Sequence, residues 1–160
     1  NIRIGFGVDV HRLAEGREFW LGGICLPASF GAVGHSDADV LIHAICDALL
    51  GAAGLKDIGT YFPDNDMSLK GIDSKILLQR VMTILTEKGY EVGNVDVALV
   101  LEKPKIKPYI DQMRAVLAPI LRIEEEDLSI KATTNEKMGY VGREEGVAAY
   151  AVVMISNLKI

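Results

Sequence analysis

From Ile2 to Val8 the chain reads Ile-Arg-Ile-Gly-Phe-Gly-Val, an alternation with the period of a β-strand. Phe19 to Ile24 predicts a second strand, reached through a polar turn around Glu15 to Glu18, and the two together predict an early hairpin. The period then changes. Ser36 followed by Asp39 offers a variant capping box, and apolar residues at 41, 42, 45, 48 and 49 recur at helical spacing up to Gly54. Residues 56–71 carry Gly59, Pro63, Asp64, Asn65, Asp66 and Gly71, which predicts a long surface loop of the kind that often bears binding groups.

A second helix is predicted from Asp73 or Ser74 through Ile76, Leu77, Val81, Ile84 and Leu85 to a stop at Gly89, and Val95 to Leu101 predicts a strand. Pro108 to Arg122 repeats apolar residues at 110, 113, 116, 117, 120 and 121. Pro119 lacks an amide proton there and is expected to kink or split the last turn. A strand from Leu128 to Thr134, a loop from Asn135 to Gly146 with three glycines, and an apolar segment from Val147 to Ile155 complete the chain. No repeat, linker or low-complexity tract interrupts this order. Strands interleaved with three helices predict an α+β fold, a two-layer sandwich with helices on one face of the sheet. At 160 residues one core is well supported and two would each be marginal, so a single domain over 1–160 is expected.

Composition narrows the class. Apolar residues make up 49% and charged residues 24%, which excludes a disordered tail or a fibrous repeat. The formal charge of −5 arises within the first 66 residues, which hold nine acids and four bases, whereas the remainder balances at 13 of each. That distribution argues against a nucleic-acid-binding face. The longest apolar runs, such as Val147 to Ile155, fall well short of the ~20 residues that cross a bilayer. A soluble chain with neither nucleic-acid nor membrane partner is therefore expected. Cys25 and Cys46 could form one disulfide but read better as buried free thiols, which suits a reducing compartment. Asn1 runs directly into Ile2-Arg3-Ile4 without a basic or apolar leader, so the expected location is cytoplasmic, or plastid if a targeting segment has been removed.

All three histidines, His11, His35 and His43, fall in this acidic first third. Asp9 and His11 are two apart at the end of a strand, so both side chains point to the same side and can share a ligand. His43 lies on the helix that follows and can face the sheet. Two imidazoles and one carboxylate suit Zn²⁺, and three protein ligands leave the fourth tetrahedral position open for substrate or water. An Asp-x-His pair alone more often marks a hydrogen-bonded histidine at a strand end, and it is the third donor that favours a metal. Asp39 and Asp47, one turn either side of His43, read either as groups that orient its imidazole or as solvated helix residues.

His35 and Ser36 immediately precede the helix, where free amides favour an anion such as phosphate, although Ser36 can simply be the cap. Asp57, Asp64 and Asp66 can bind polyol hydroxyls or, as the local pattern favours, end turns. Lys103, Lys105 and Lys107 beside Pro104 offer a dock for phosphate or nucleotide, or are merely solvated. Thr133, Thr134 and Glu136 can hold phosphate oxygens and a hard cation such as Mg²⁺, with ordinary edge-strand threonines as the alternative. Glu124 to Asp127 reads as a solvated turn, and Gly5-Phe6-Gly7 is no nucleotide fingerprint because no helix opens after it.

Seven stretches in order, RIGFGVDVH, HSDADVLIH, DALLGA, DIGTYFPDND, KGIDS, GNVDV and KATTNEKMGYVGR, resemble the 2-C-methyl-D-erythritol 2,4-cyclodiphosphate synthase family over essentially the whole chain. The resemblance implies a mixed sheet in a ferredoxin-like arrangement, assembled as a homotrimer with active sites between subunits. It implies conversion of 4-diphosphocytidyl-2-C-methyl-D-erythritol 2-phosphate to the cyclic diphosphate and CMP, in non-mevalonate isoprenoid synthesis. Asp9, His11 and His43 match its zinc ligands, and Glu136 matches the ligand of a second cation, Mg²⁺ or Mn²⁺. His35 and Thr134 match groups assigned to transition-state stabilisation, with Ser36 beside the phosphate. Asp57, Ile58, Gly59 and the loop Phe62, Pro63, Asp64, Asn65 and Asp66 match the methylerythritol site, which replaces the plain-turn reading of that loop. Leu101, Glu102, Lys103, Pro104, Lys105, Ile106 and Lys107, with Thr133, match the cytidine pocket, and Asn135 stands where threonine is frequent. Tyr140 and Arg143 match positions lining a central cavity that binds an isoprenoid diphosphate in some members, and Val8 replaces a common phenylalanine there. Ala38 replaces a frequent glycine. The rival readings are a zinc-dependent phosphohydrolase and a non-catalytic trimer that binds isoprenoid diphosphates.

Overall fold

In a computed structural model, which describes residues 1–159, the strands are β1 (Ile2–Glu15), β2 (Phe19–Leu21), β3 (Ile24–Leu26), β4 (Phe30–Val33), β5 (Tyr90–Val100), β6 (Leu128–Thr133) and β7 (Gly146–Asn157). The helices are α1 (Val40–Ala52), α2 (Ile58–Tyr61), α3 (Ser74–Glu87), α4 (Ile110–Leu121) and α5 (Gly139–Gly142). Five strands form one sheet in the order β4-β1-β7-β5-β6, with β5 and β6 parallel and every other pair antiparallel. The parallel pair is joined through α4, as a crossover requires. The result is the expected two-layer α+β sandwich around a mixed sheet. Among the described residues no helix is long and apolar enough to cross a membrane.

The buried layer comes from inward-facing strand positions, Val95, Val97 and Leu99 of β5 and Val147 to Ile155 at every second residue of β7, packed beneath Leu41, Ile42, Ile45 and Leu49 of α1. Leu78, Val81 and Leu85 of α3 and Met113 and Leu117 of α4 extend it. β1 contributes glycines instead of bulk. A Cβ on Gly5 would sit 1.9 Å from Ala48 O, and one on Gly7 2.1 Å from Ala44 O, so α1 rides directly on the β1 backbone. Ala44, Ala48 and Ala52 present the matching small surface on the helix. This close approach is what carries His43 within reach of β1.

Several expectations are corrected. The early hairpin does not form: β1 pairs with β4 at Arg12–Glu15 and with β7 along Ile2–Arg12, while β2 and β3 make a two-stranded sheet of their own. Gly22 and Gly23, both at positive φ, turn the chain back between those short strands, which splits the predicted strand Phe19–Ile24. The first helix begins at Val40 with Asp39, not Ser36, as its cap, because the Asp39 side chain accepts from Ile42 N. Pro119 does not split α4. It lies in the last turn, where only one amide bond is forgone, and the helix closes through Arg122 at φ 60° with Ile123 N donating to Ala118 O. The loop 56–71 holds α2 and a 3₁₀ turn at Met67–Leu69, and the loop 135–146 holds α5. The cysteines are free as expected; Cys46 is buried, but Cys25 points outward from β3 and is exposed.

Candidate active site

Asp9 and His11 sit in the middle of β1, opposite Ala149 and Val147 of β7, instead of at a strand end. Their two-residue spacing still puts both side chains on the helical face, where His43 descends from α1. Asp9 Oδ2 lies 3.0 Å from His11 Nε2 and 3.3 Å from His43 Nδ1, and the two ring nitrogens are 3.2 Å apart. The rings meet edge to face at 79°. Asp9 Oδ2 is buried yet makes no well-aligned hydrogen bond. Three donor atoms thus converge on one point, and Asp9 Oδ2 lacks an aligned partner there, which is the arrangement a divalent cation would satisfy. Among the described residues this is the one cluster of three His, Cys, Asp or Glu donors spaced for a metal.

The electrostatics agree with the geometry. Burial pushes the Asp9 carboxyl up, but its contacts with His11 and His43 outweigh that and hold it down to about 2. Burial disfavours the charged His43 ring, and the adjacent Asp9 overrides it and raises the imidazole above its ordinary value, with Asp39 and Asp37 adding smaller attractions. Both shifts favour positive charge in the space between the three groups, where a cation would lie.

The aspartates on either side of His43 do not orient it. Asp39 is fully buried and accepts from Gly22 N (3.0 Å), Gly23 N (2.8 Å) and Ile42 N (3.1 Å), which pins the β2–β3 turn to the start of α1. Asp47 accepts from Ile58 N at 2.7 Å and so anchors α2. The partners of His43 Nε2 are hydroxyls instead: Ser74 Oγ at 2.9 Å and Ser36 Oγ at 3.1 Å. Ser36 and His35 lie in the turn ahead of α1 and not on its free amides, so the helix-terminus reading of those two residues is corrected. His35 Nε2 donates to Asp66 O at 2.7 Å, which ties the loop 56–71 to the site.

A cavity of about 410 Å³ opens over the triad, lined by His35 and Ser36 and, from the loop, by Ile58, Gly59, Phe62 and Asp64. Asp57 and Asp66 are used as caps, Asp57 on Thr60 N and Asp66 on Ser68 N, and neither lines the cavity; nor do Pro63 and Asn65. A second hollow of about 160 Å³ is lined by Leu101, Glu102, Pro104, Lys105, Ile106, Lys107, Thr133 and Thr134. Lys103 points away from it and pairs with Glu144 at 3.7 Å. Glu102 Oε1 accepts from Asn135 N at 2.6 Å and Thr134 Oγ1 from Glu136 N at 3.3 Å, so the strand end is folded against the second hollow. Glu136 and Lys137 both take positive φ, 52° and 65°, and their side chains are exposed. Glu136 does not join the triad within this chain.

A family model described as the YgbB family matches residues 2–156. The chain belongs to the YgbB family. Among its relatives, the 2-C-methyl-D-erythritol 2,4-cyclodiphosphate synthase of Bacteroides fragilis is 57% identical over 157 residues, covering 98% of this chain and 99% of that one. The protein of the same name from Porphyromonas gingivalis is 60% identical over 153 residues, covering 96% and 94%. A solved 2C-methyl-D-erythritol-2,4-cyclodiphosphate synthase in a CDP-bound form superposes with a TM-score of 0.89 at 36% identity, over 96% of this chain and 100% of that one. The bifunctional IspDF of Campylobacter jejuni gives 0.96 at 39% identity, and there this chain matches 43% of the longer protein.

In this YgbB-family chain, Ser74 and Asp37 were not legible as site residues. Asp37 reaches Ser74 across 37 positions, and no local period connects a turn before one helix to the first residue of another.

Proposed function

We propose that this chain is a cyclising, CMP-releasing phosphorus–oxygen lyase that converts 4-diphosphocytidyl-2-C-methyl-D-erythritol 2-phosphate to 2-C-methyl-D-erythritol 2,4-cyclodiphosphate. The observation that carries the reading is the unsatisfied Asp9 carboxylate facing two imidazoles at the floor of a cavity, in a chain whose relatives bear that enzyme's name.

Asp9, His11 and His43 would hold Zn²⁺, and Glu136 a second hard cation, Mg²⁺ or Mn²⁺. Such cations supply Lewis acidity and offset the repulsion between a phosphate and a diphosphate brought together. The rest belongs to the chain. The second hollow, with Lys105 and Lys107 at its rim, takes the cytidine and its phosphates, and Ile58, Gly59, Phe62 and Asp64 take the methylerythritol. An oxygen of the substrate's own 2-phosphate attacks the β-phosphorus, the bond to the α-phosphate breaks, and CMP departs. No serine or cysteine intermediate and no water is consumed. Binding both phosphates in one orientation is the larger contribution, and His35 and Thr134 donate hydrogen bonds as negative charge shifts to the leaving oxygen.

The homotrimer belongs to the same reading. The sheet face away from the helices carries Ile2, Ile4, Phe6, Val8 and Val10 of β1 beside Tyr150 and Val152 of β7, all exposed, with Ile4 at 71%. A contiguous apolar face of that kind is a docking surface in a folded chain. The separation of Glu136 and the second hollow from the triad supports active sites completed by neighbouring subunits. Tyr140 and Arg143 would then face a central cavity able to take an isoprenoid diphosphate.

Incubation with the cytidine diphosphate substrate in ¹⁸O-enriched water, followed by phosphorus NMR and mass measurement, tests the reaction. Cyclic diphosphate and CMP without label are expected. A linear diphosphate with one solvent oxygen would make the chain a phosphohydrolase, and unchanged substrate would leave only a binding protein.

A further inference from the structure

We propose that Ser74 and Asp37 form a positioning pair that fixes the tautomer of His43 and aims its Nδ1 at the metal position; this rests on the triad being a metal site. Ser74 Oγ lies 2.9 Å from His43 Nε2 and also donates a short hydrogen bond to Asp37 Oδ1. A hydroxyl has one proton, and the carboxylate has none to give in return. With its proton committed to Asp37, Ser74 Oγ can only accept from the ring. His43 Nε2 must therefore carry hydrogen, and in the neutral imidazole this leaves the lone pair on Nδ1, the nitrogen that faces Asp9 and His11.

Everything around the pair restricts it to this arrangement. Ser74 is completely buried at the first residue of α3, and its hydroxyl is not needed as a helix cap, because Asp73 already accepts from Lys75 N. Asp37 is gripped on both oxygens. Oδ1 also accepts from Asp39 N at 3.1 Å, and Oδ2 accepts from Ser74 N at 2.9 Å. The carboxylate thus holds the Ser74 backbone and hydroxyl together and cannot rotate away without losing both. Ser36 completes the count. Its Oγ accepts from Ala38 N at 3.1 Å, and a protonated Nε2 asks nothing of its hydroxyl hydrogen. That hydrogen stays available to an anion in the cavity.

The test uses the whole protein labelled with ¹⁵N at histidine, and does not depend on activity. In metal-free protein at alkaline pH, two-bond proton–nitrogen correlation should identify His43 as the Nε2–H tautomer; an Nδ1–H ring would overturn the pair. Zinc affinity is then measured by chelator competition. Ser74→Ala should weaken zinc binding about 10- to 100-fold while the metal-free protein keeps its circular dichroism, as loss of a ligand-orienting partner does. Unchanged affinity in Ser74→Ala overturns the proposal with the metal site intact. Failure of the wild-type protein to bind zinc overturns both the pair and the metal site. Should Ser74→Ala not fold, the wild-type tautomer decides alone.

Discussion

The triad on β1 and α1 and the segment Thr133 to Lys137 hold the residues assigned here to the two cations, but they are built in opposite ways. Asp9, His11 and His43 are part of the helix–sheet contact, their separation set by backbone packing of α1 on Gly5 and Gly7. Glu136 projects from a strand end on left-handed backbone, exposed, with no partner in the triad. The first region comes together within one chain, at the packed contact of α1 with β1. The second stands apart from the triad within this chain.

The sharpest way to break this contrast is Gly7→Val. The new Cβ would lie within 2.1 Å of Ala44 O, and backbone on both sides leaves little room to yield. Destabilisation of about 3 kcal/mol or more is expected in denaturant melts, with loss of zinc, because overpacking here separates the ligands themselves. Stability within experimental error would mean that α1 does not define the site.

His43→Ala tests the same region locally. Metal analysis should fall from about one zinc per chain to none, with the fold retained, since two remaining donors hold zinc poorly. A fully loaded variant would refute the site.

The pH dependence separates the proton from the metal. His43 is raised above the ordinary imidazole value of 6.5, so its contribution to the metal-free fold is complete below that pH and is lost as pH rises through the raised value. Asp9, lowered from 3.8 to about 2, contributes above 3.8 and loses that contribution as pH falls toward 2. Zinc must displace the His43 proton, so apparent zinc affinity should drop up to about tenfold per pH unit on acidification, starting at higher pH than for an ordinary imidazole. Metal-free melting points should therefore fall above pH 6.5 while zinc binding tightens. Parallel slopes for the two would contradict the shared position.

Glu136→Gln probes the other region. Its side chain is exposed, so stability should change by less than about 0.5 kcal/mol. Zinc content should be unchanged, while the Mg²⁺ concentration for half-maximal activity rises severalfold, because the amide lacks the charge a hard cation needs. An unaltered magnesium titration would remove Glu136 from the site.

The smallest effect is expected at Ala38, which stands at φ 60° with its methyl buried. Relief of the left-handed strain in Ala38→Gly, about 1–2 kcal/mol, is partly offset by losing a buried methyl worth about 0.8 kcal/mol. A net stabilisation under about 1 kcal/mol should appear in thermal melts, and a clear loss would show that packing outweighs strain there.

Much of the triad was legible because two short-range periods suffice for it: two residues along a strand align Asp9 with His11, and a helix after that strand supplies His43. The two-layer class was legible for the same reason, as periods of two and 3.6 reveal which faces are apolar. What the sequence by itself determined, then, was the local geometry of each element and the chemistry of the donors. The tertiary structure alone decided which elements meet. β1 chooses β7, the last strand, over its neighbour in sequence, and β5 runs parallel to β6; such pairings join residues far apart in the chain and leave no local signature. Asp39 and Asp47, at helical spacing from His43, went to a turn and a loop instead, while Ser74 and Asp37 took the imidazole. A hydrogen bond depends on where a donor is carried by the packing of whole elements, and the seat of α1 on β1 rests on two glycines and a row of alanines.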